Sequence, residues 1–207
     1  MKKILFFILL IPAISTFAQD FHYGVKIGGN YSFFDLSGNV KKDIAYDLTG
    51  KFNIEAGIMA EYSINKKIGL SVEINYDNLG DRFYKTADQT SFETKYNLTY
   101  IEVPLIFKYY IIPNLSINVG GQAGSLLSAE NKFKLTIEDV DSSDSSDAKS
   151  DYESLDYGLN LGVGFKLKNG MLIDIRFYQG LKNINKLNDA VEMKNSALKL
   201  GIGYYFK

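Results

Sequence analysis

Charged side chains recur at alternate positions along this chain, each between apolar neighbours. Asp174 and Arg176, for example, are separated by Ile175. A period of two puts successive side chains on opposite faces of a β-strand, so these charges share the face opposite the apolar one. Because buried charges must be paired and hydrogen-bonded, the pattern predicts a structural ion-pair network, with a proton or ion path as the alternative. The members of this predicted network are Lys26, Glu55, Glu73, Glu102, Lys108, Asp174, Arg176 and Lys199.

Residues suited to nucleophilic or metal-assisted catalysis are scarce. The sequence holds no Cys and one His, which excludes thiol catalysis, disulfides and thiolate metal sites. His22 stands at the start of the first alternating run, where a terminal polar residue is a better interpretation than half of a Ser–His pair. No glycine-rich phosphate loop or zinc motif occurs, so we predict no catalytic residue, cofactor or metal. Carboxylate-only catalysis stays open, although an ion pair explains Glu102 more simply. The first partner that we expect for the Arg176 guanidinium is the Glu102 carboxylate.

The most acidic segment is 138–153, with seven acids and one base. Its Asp spacing is similar to that of a calcium loop, but the Gly at the turn and the closing Glu are missing. We predict a flexible, solvated tip and leave cation binding open. The whole chain carries 23 Lys+Arg against 24 Asp+Glu, a balance that argues against a nucleic-acid partner.

The alternating runs and their connections predict the fold. Short links fall at 65–67, 112–114 and 168–170, and long ones at roughly 33–50, 78–95, 129–153 and 183–196. This arrangement predicts an all-β protein, an eight-stranded antiparallel up-and-down transmembrane β-barrel with short periplasmic turns and long extracellular loops. The eight runs are 23–31, 52–62, 68–76, 101–109, 115–124, 155–166, 171–180 and 198–207.

The position of glycine indicates which face looks outward. Twelve glycines lie on the charged face, whereas Tyr, Phe, Ile and Leu fill the other. Since the interior of an eight-stranded barrel is only wide enough for side chains to fill, the small and charged residues belong inside and the apolar face belongs in lipid. With Glu61, Asp156 and Lys166 included, six acids then face five bases in the lumen. A secreted lipocalin-like barrel with its apolar face inward is the alternative.

The first residues predict export. Lys2 and Lys3 precede an apolar run from Ile4 to Ile11 that is too short to span a bilayer, and Thr16 and Ala18 are placed for cleavage before Gln19. We therefore expect a signal peptide over 1–18, export through the general secretory route, and an outer membrane β-barrel domain over 19–207. At the other end of the chain, Tyr204 and Phe206 form an aromatic pair that we interpret as an assembly signal for the barrel insertion machinery.

Several segments resemble one known family. They are 23–31 (YGVKIGGNY), 98–110 (LTYIEVPLIFKYY), 157–165 (YGLNLGVGF) and 174–181 (DIRFYQGL). In order and spacing they are similar to the PorT-like outer membrane β-barrel family of Bacteroidetes, over essentially the whole mature chain. Pro104 makes the second segment the most specific, since Pro inside a strand is unusual. The resemblance implies a fold and an outer-membrane location but no assigned role.

Three functions follow as hypotheses. The first, which we favour, is a non-enzymatic structural or partner-binding barrel with a lumen filled by side chains. The second is a narrow channel, and the third is a lipid-modifying outer membrane enzyme. Expected partners are outer membrane lipids, the insertion machinery and a protein or surface partner of unknown identity that contacts the long loops. Neither that partner, nor solute passage, nor the oligomeric state follows from the sequence.

Overall fold

The computed structural model describes residues 21–38, 48–88, 90–138, 140–188 and 190–206, so the expected signal segment 1–18 lies outside it. A turn of 3₁₀ helix spans Lys149–Asp151. Among the described residues, no helix is long and apolar enough to cross a membrane. The strands are β1 Phe21–Gly38, β2 Lys51–Asn65, β3 Ile68–Ala87, β4 Thr90–Ile112, β5 Leu115–Ile137, β6 Val140–Asp147, β7 Leu155–Lys166, β8 Met171–Gly180 and β9 Val191–Tyr205.

Eight of the strands form a closed antiparallel ring. Each pairs with its neighbours in the chain, β5 pairs with β7, and β9 returns to pair with β1 from Gly24↔Tyr205 to Gly38↔Val191. Closure leaves the ring with no unpaired edge, which confirms the predicted eight-stranded up-and-down barrel. The additional strand, β6, pairs only with the C-terminal part of β5, from Glu130↔Asp147 to Ile137↔Val140.

Two of the connections predicted as long loops are wrong, because strands continue through them. β3 and β4 stay paired as far as Ala87↔Thr90, with Asp88 in a left-handed conformation at the turn. The sequence pattern was misread as the end of the strand because, beyond Tyr76, apolar residues also occur on the inner face and charged residues on the outer face. Leu79 is buried inside, for example, while Arg82 faces out. Once a strand leaves the bilayer, its outward side chains meet water, so an apolar outer face is no longer required.

The acidic segment is also more regular than predicted. Residues 140–147 form strand β6 rather than a flexible tip, and every side chain of this strand is exposed. Lys134 on β5 lies 2.8 Å from Asp141, and this hydrogen-bonded contact lowers the pKa of the Asp141 carboxyl and raises that of the lysine. Cross-strand pairing of β6 with β5 therefore orders a segment whose composition alone indicated disorder.

Candidate functional site

The inward side chains of the ring form a charged cluster at mid-height of the lumen. The Arg176 guanidinium on β8 donates to both carboxylate oxygens of Glu73 on β3, at 2.8 and 3.3 Å, and lies 2.9 Å from Asp174. Lys26 on β1 lies 3.1 Å from Glu55, 3.2 Å from Glu73 and 3.6 Å from Asp174. A forked arginine–carboxylate contact of this kind is strong and directional, so it fixes the side chains across the lumen.

Lys199 on β9 is the centre of a second cluster. Its ammonium lies 2.6 Å from Asp77, 2.7 Å from Glu102 and 3.5 Å from Glu55. Glu55 contacts both Lys199 and Lys26, so it joins the two clusters into one network. The expected contact between Arg176 and Glu102 is wrong, because Glu102 contacts Lys199 while Arg176 contacts Glu73.

The remaining predicted member, Lys108, lies nearer the end of the ring where the short turns are. Its ammonium is 2.7 Å from Glu61 and 3.0 Å from the Tyr205 hydroxyl. Tyr205 and Tyr110 also donate to Glu61, at 2.6 and 2.5 Å. The structure thus joins seven of the eight predicted residues in one network, while Lys108 belongs to a separate contact set around Glu61.

Sequence reasoning missed several inward residues. Asp77 and Asp81 follow the predicted end of the third run, and an unbroken period of two past Tyr76 would have found both. They raise the buried set to eight acids against four bases, where near-neutrality was expected. The fifth base of the sequence prediction, Lys166, is only half-buried at the mouth of the ring.

Neutral donors compensate for the excess of carboxylates. Asn30 donates to Asp77 at 2.7 Å, Asn118 to Asp174 at 3.0 Å and Asn195 to Asp156 at 2.8 Å. Asp81 instead accepts three backbone N–H groups, from Phe34, Gly50 and Arg82. Hydrogen bonds to a carboxylate stabilise its charge in addition to any cation nearby, which explains how this lumen holds more acids than bases.

Inward glycines make room for the long cationic side chains. A Cβ atom on Gly162 would lie 3.2 Å from Cβ of Arg176 and 2.3 Å from the Ile175 carbonyl oxygen. One on Gly201 would lie 2.5 Å from Cε of Lys26. In a barrel this narrow, the extended arginine and lysine therefore require neighbours without side chains.

Apolar side chains cover the charged layer at both ends. Met59, Leu172 and Tyr205 pack together toward the short turns. The larger cluster at the opposite end consists of Phe34, Leu79, Leu98, Tyr100, Leu126, Ala129, Ala148, Tyr152, Tyr178, Ile184 and Ala197. The charged side chains between these layers are almost completely buried, with 0–2% exposure in each ion pair of the network.

Each end of the ring opens into a cavity, and the two cavities share no lining residue. The one beside the long hairpins measures about 810 Å³ and lies between the distal parts of β1 and β9 and those of β3, β4 and β5. Three of its phenylalanine rings form a row. The ring centroids of Phe83 and Phe92 are 6.2 Å apart, and those of Phe92 and Phe133 are 6.5 Å apart. We call this cavity the distal groove.

The outward face of the ring is apolar along every strand. Ile27, Leu161 and Leu200 are each more than half exposed, and so are many of their outward neighbours. A folded chain that exposes so large a continuous apolar surface requires an apolar environment around it.

A family model described as outer membrane protein β-barrel domain matches residues 17–186. The chain belongs to this family. Its location is the outer membrane, and the apolar face of the barrel lies in the lipid. Because outer-membrane barrels have short turns on the periplasmic side, both ends of the described chain lie in the periplasm and the distal groove opens outside the cell.

Several solved structures of outer membrane proteins are similar to this barrel. The attachment invasion locus protein Ail of Yersinia pestis is 17% identical, with a TM-score of 0.48, over 90% of this chain and 99% of that one. OprG from Pseudomonas aeruginosa is 13% identical, with a TM-score of 0.40, over 90% and 95%. Neisserial surface protein A is 15% identical, with a TM-score of 0.44, over 89% and 97%. No curated protein sequence matches the barrel.

The described residues hold no group of three or more His, Asp or Glu arranged to bind a metal ion. His22 lies at the periplasmic mouth, with its ring centroid 6.0 Å from that of Tyr205 in an edge-to-face arrangement. Tyr204 and Phe206 both face outward at the end of β9, with ring centroids 5.8 Å apart in an edge-to-face arrangement.

Leu161→Arg tests the orientation of the barrel in the membrane. Leu161 is 60% exposed on the outer face of β7, between Val119 and Phe177 on the adjacent strands. An arginine facing lipid near the midplane should reduce the free energy of unfolding by about 2–4 kcal/mol. Urea titration of the barrel refolded in lipid vesicles measures this cost.

Leu187→Arg is the matched control. Leu187 is 73% exposed in the segment between β8 and β9, outside the ring, so the same change should leave stability within about 0.5 kcal/mol of wild type. Equal stability of the two variants would contradict the proposed orientation.

Proposed function

We propose that this barrel is a non-enzymatic outer membrane protein that does not conduct solutes and that acts through its extracellular hairpins. The observation that supports this best is the filled lumen, in which an ion-pair network is covered by apolar layers on both sides. The Tyr100 and Tyr178 side chains close the extracellular side and are each about 1% exposed or less. Side chains buried to this extent have almost no contact with solvent, which supports a closed lumen.

Conductance in planar bilayers tests the closed lumen directly. The wild-type barrel should insert without producing steady current steps, because opening a path would require separating buried ion pairs at a cost of several kcal/mol. Insertion is monitored by protease protection in the same lipid. Reproducible steps that scale with the number of inserted barrels would identify a channel and overturn the proposal.

The distal groove is our candidate for the partner-binding surface. Its lining is mainly aromatic and aliphatic, and partner interfaces are enriched in such side chains at their centre. Phe92 is 40% exposed there, which is unusual for a phenylalanine that lies outside the membrane. The hairpins β3–β4 and β5–β6 hold this side chain on paired strands rather than on a loop, so the surface is preorganised.

Phe92→Asp should remove partner binding at the distal groove while leaving the barrel inserted. The change removes the phenyl ring and puts a charged carboxylate, opposite Lys85 on β3, in the middle of an apolar surface. We therefore expect at least a tenfold loss of the co-purifying partner from outer membranes in mild detergent. Leu187→Asp is the control, because it introduces the same aspartate on the same side of the membrane but outside the groove. Identical partner recovery from both variants would exclude the groove.

The absence of an enzymatic role is part of the proposal. Its support is the ion-pair network, since Glu55, Glu73 and Glu102 each contact a cation and none faces a cavity. A carboxylate held in this way has no access to lipid or solvent and is not available as a general acid or base.

We further infer kinship with the PorT-like barrels of Bacteroidetes and processing of the chain before Gln19. The kinship is supported by the order of the four segments described above, and by Pro104, which lies inside β4. Processing is supported by Thr16 and Ala18 ahead of Gln19 and would leave 19–207 as the mature domain. The intact mass of protein extracted from outer membranes tests it, since a retained Met1 would contradict cleavage.

A further inference from the structure

The periplasmic mouth of the barrel contains a concave space of about 920 Å³, which we call the vestibule. Its size lies within the range of ligand-binding cavities, which measure roughly 300–1,000 Å³. Three lysines line it, and they come from different parts of the rim: Lys66 from the β2–β3 turn, Lys166 from the end of β7 and Lys168 from the β7–β8 turn. Lys66, which is distant from the other two in the sequence, is therefore brought to the same space as Lys166 and Lys168.

These three lysines lack acidic partners among the described residues, since no carboxylate oxygen there lies within 4.0 Å of any of their ammonium groups. Glu61 is the one carboxylate among the described residues that line the vestibule, and it already accepts hydrogen bonds from Lys108, Tyr110 and Tyr205. The Glu61 carboxylate at the floor is thus already paired, and no carboxylate of the described residues forms an ion pair with the three lysines. A cleft lined by one sign of charge concentrates ions of the opposite sign.

Lys166 has a particularly defined position. Its ammonium lies 4.6 Å from the centre of the Tyr205 ring, and the side chain is half-buried on the inner face of β7. A cation over an aromatic face is held in place without being neutralised. Because this face points into the ring, the charge is directed at the vestibule and away from the lipid headgroups that surround the outer wall.

The other lining groups suit a peptide better than a simple phosphate. Asn65, Asn114 and Ser63 offer both hydrogen-bond donors and acceptors, as a peptide backbone requires, whereas a phosphate mainly accepts. Arginine, which binds phosphate with a forked contact, is missing from the lining. Phe21 and Phe206 point outward from the wall but border the vestibule at its rim, where they provide apolar surface for side chains between the acidic ones.

We propose that the vestibule binds an acidic peptide segment of a periplasmic protein, with its carboxylates on Lys66, Lys166 and Lys168 and its apolar side chains on the aromatic rim. This site is independent of the distal groove, since it lies on the opposite side of the membrane and requires no extracellular partner. It would connect the outer membrane barrel to a periplasmic component.

Fluorescence anisotropy of a labelled peptide tests the site on the full mature barrel in detergent. The probe is a fluorescein-labelled peptide with the sequence Phe-Glu-Glu-Phe-Glu-Glu, and the comparison peptide has Gln in place of Glu. We expect saturable binding of the acidic peptide, at least tenfold weaker binding of the Gln peptide, and a loss of affinity as added salt shortens the Debye length.

Substitutions localise the binding. The triple variant Lys66→Gln, Lys168→Gln and Lys166→Gln should weaken binding of the acidic peptide at least tenfold. The control replaces Lys132, Lys149 and Lys186, three lysines of the extracellular side, and should bind as wild type does. Retention of the folded, heat-modifiable band on gels shows that each variant is intact. If the Lys166 change prevents folding, the two turn substitutions alone should still give a threefold loss.

Three outcomes would overturn the proposal: no saturable binding of the acidic peptide, equal binding of the Gln peptide, or equal loss in the extracellular control. Inorganic phosphate and phosphatidylglycerol vesicles are separate arms of the assay. If either displaces the peptide at a lower concentration than unlabelled peptide does, the site recognises phosphate and the peptide assignment is wrong.

Discussion

A barrel that lacks residues 201–207 is expected to fail in assembly altogether. This segment supplies the pairs from Gly24↔Tyr205 to Gly28↔Gly201 on one side of β9 and from Met171↔Tyr204 to Asp174↔Gly201 on the other. Its removal opens the periplasmic half of the ring and leaves unpaired backbone groups facing lipid, each of which costs several kcal/mol. It also removes Tyr204 and Phe206, the proposed assembly signal.

The truncated chain should be degraded in the periplasm, with less than a tenth of the wild-type amount in isolated outer membranes by immunoblot. The control shortens a hairpin instead, with residues 132–145 replaced by Asn-Gly so that Asn131 and Ser146 stay paired across a two-residue turn. That variant keeps residues 115–131 of β5 and the whole of every other ring strand, so it should insert normally. Normal insertion of the truncated chain would show that closure by β9 is dispensable.

The second large effect is expected from Arg176→Met. This change leaves Glu73 and Asp174 without the guanidinium that contacts both, in a site where each side chain is 2% exposed or less. Breaking a buried pair costs about 3–5 kcal/mol, because the carboxylate left behind is desolvated and unpaired. Lys26 still contacts both acids and partly offsets the loss.

Arg82→Met is the matched control for the ion-pair network. Arg82 contacts Glu93 at 3.7 Å on the extracellular hairpin and its side chain is 43% exposed, so its removal should cost about 0–1 kcal/mol. Urea titration in lipid vesicles compares both variants with wild type. Adding Glu73→Gln to Arg176→Met should recover stability, because it removes one of the stranded charges. Near-identical stability of the two single variants would mean that the lumen is hydrated.

Much of the architecture could be predicted from local patterns. The alternation through Leu159, Leu161 and Val163 requires that these residues share one face of a strand, and the glycines opposite them mark the narrow interior. Short links at 112–114 and 168–170 were placed where the structure has turns. Such features depend only on residues adjacent in the chain, so a single sequence contains them.

The charged partners across the lumen could not be predicted. Glu73 on β3 and Arg176 on β8 are brought together by closure of the ring, and the expected Arg176–Glu102 contact failed for the same reason. Strands that face each other across the lumen are offset along the barrel axis by the stagger of all the strands between them. The alternation along one strand therefore shows which side chains point inward, but not at which height along the axis each one lies.

The sequence by itself determined the number of ring strands and which side chains of each membrane-spanning run point inward or outward, because both follow from a period of two along one strand. The tertiary structure alone decided which cations meet which carboxylates, how the tyrosines close the lumen, and that three lysines meet in the vestibule. It also decided that β3, β4 and β5 continue beyond the membrane. These features depend on strand register and ring closure, which arise only when residues distant in the chain pair.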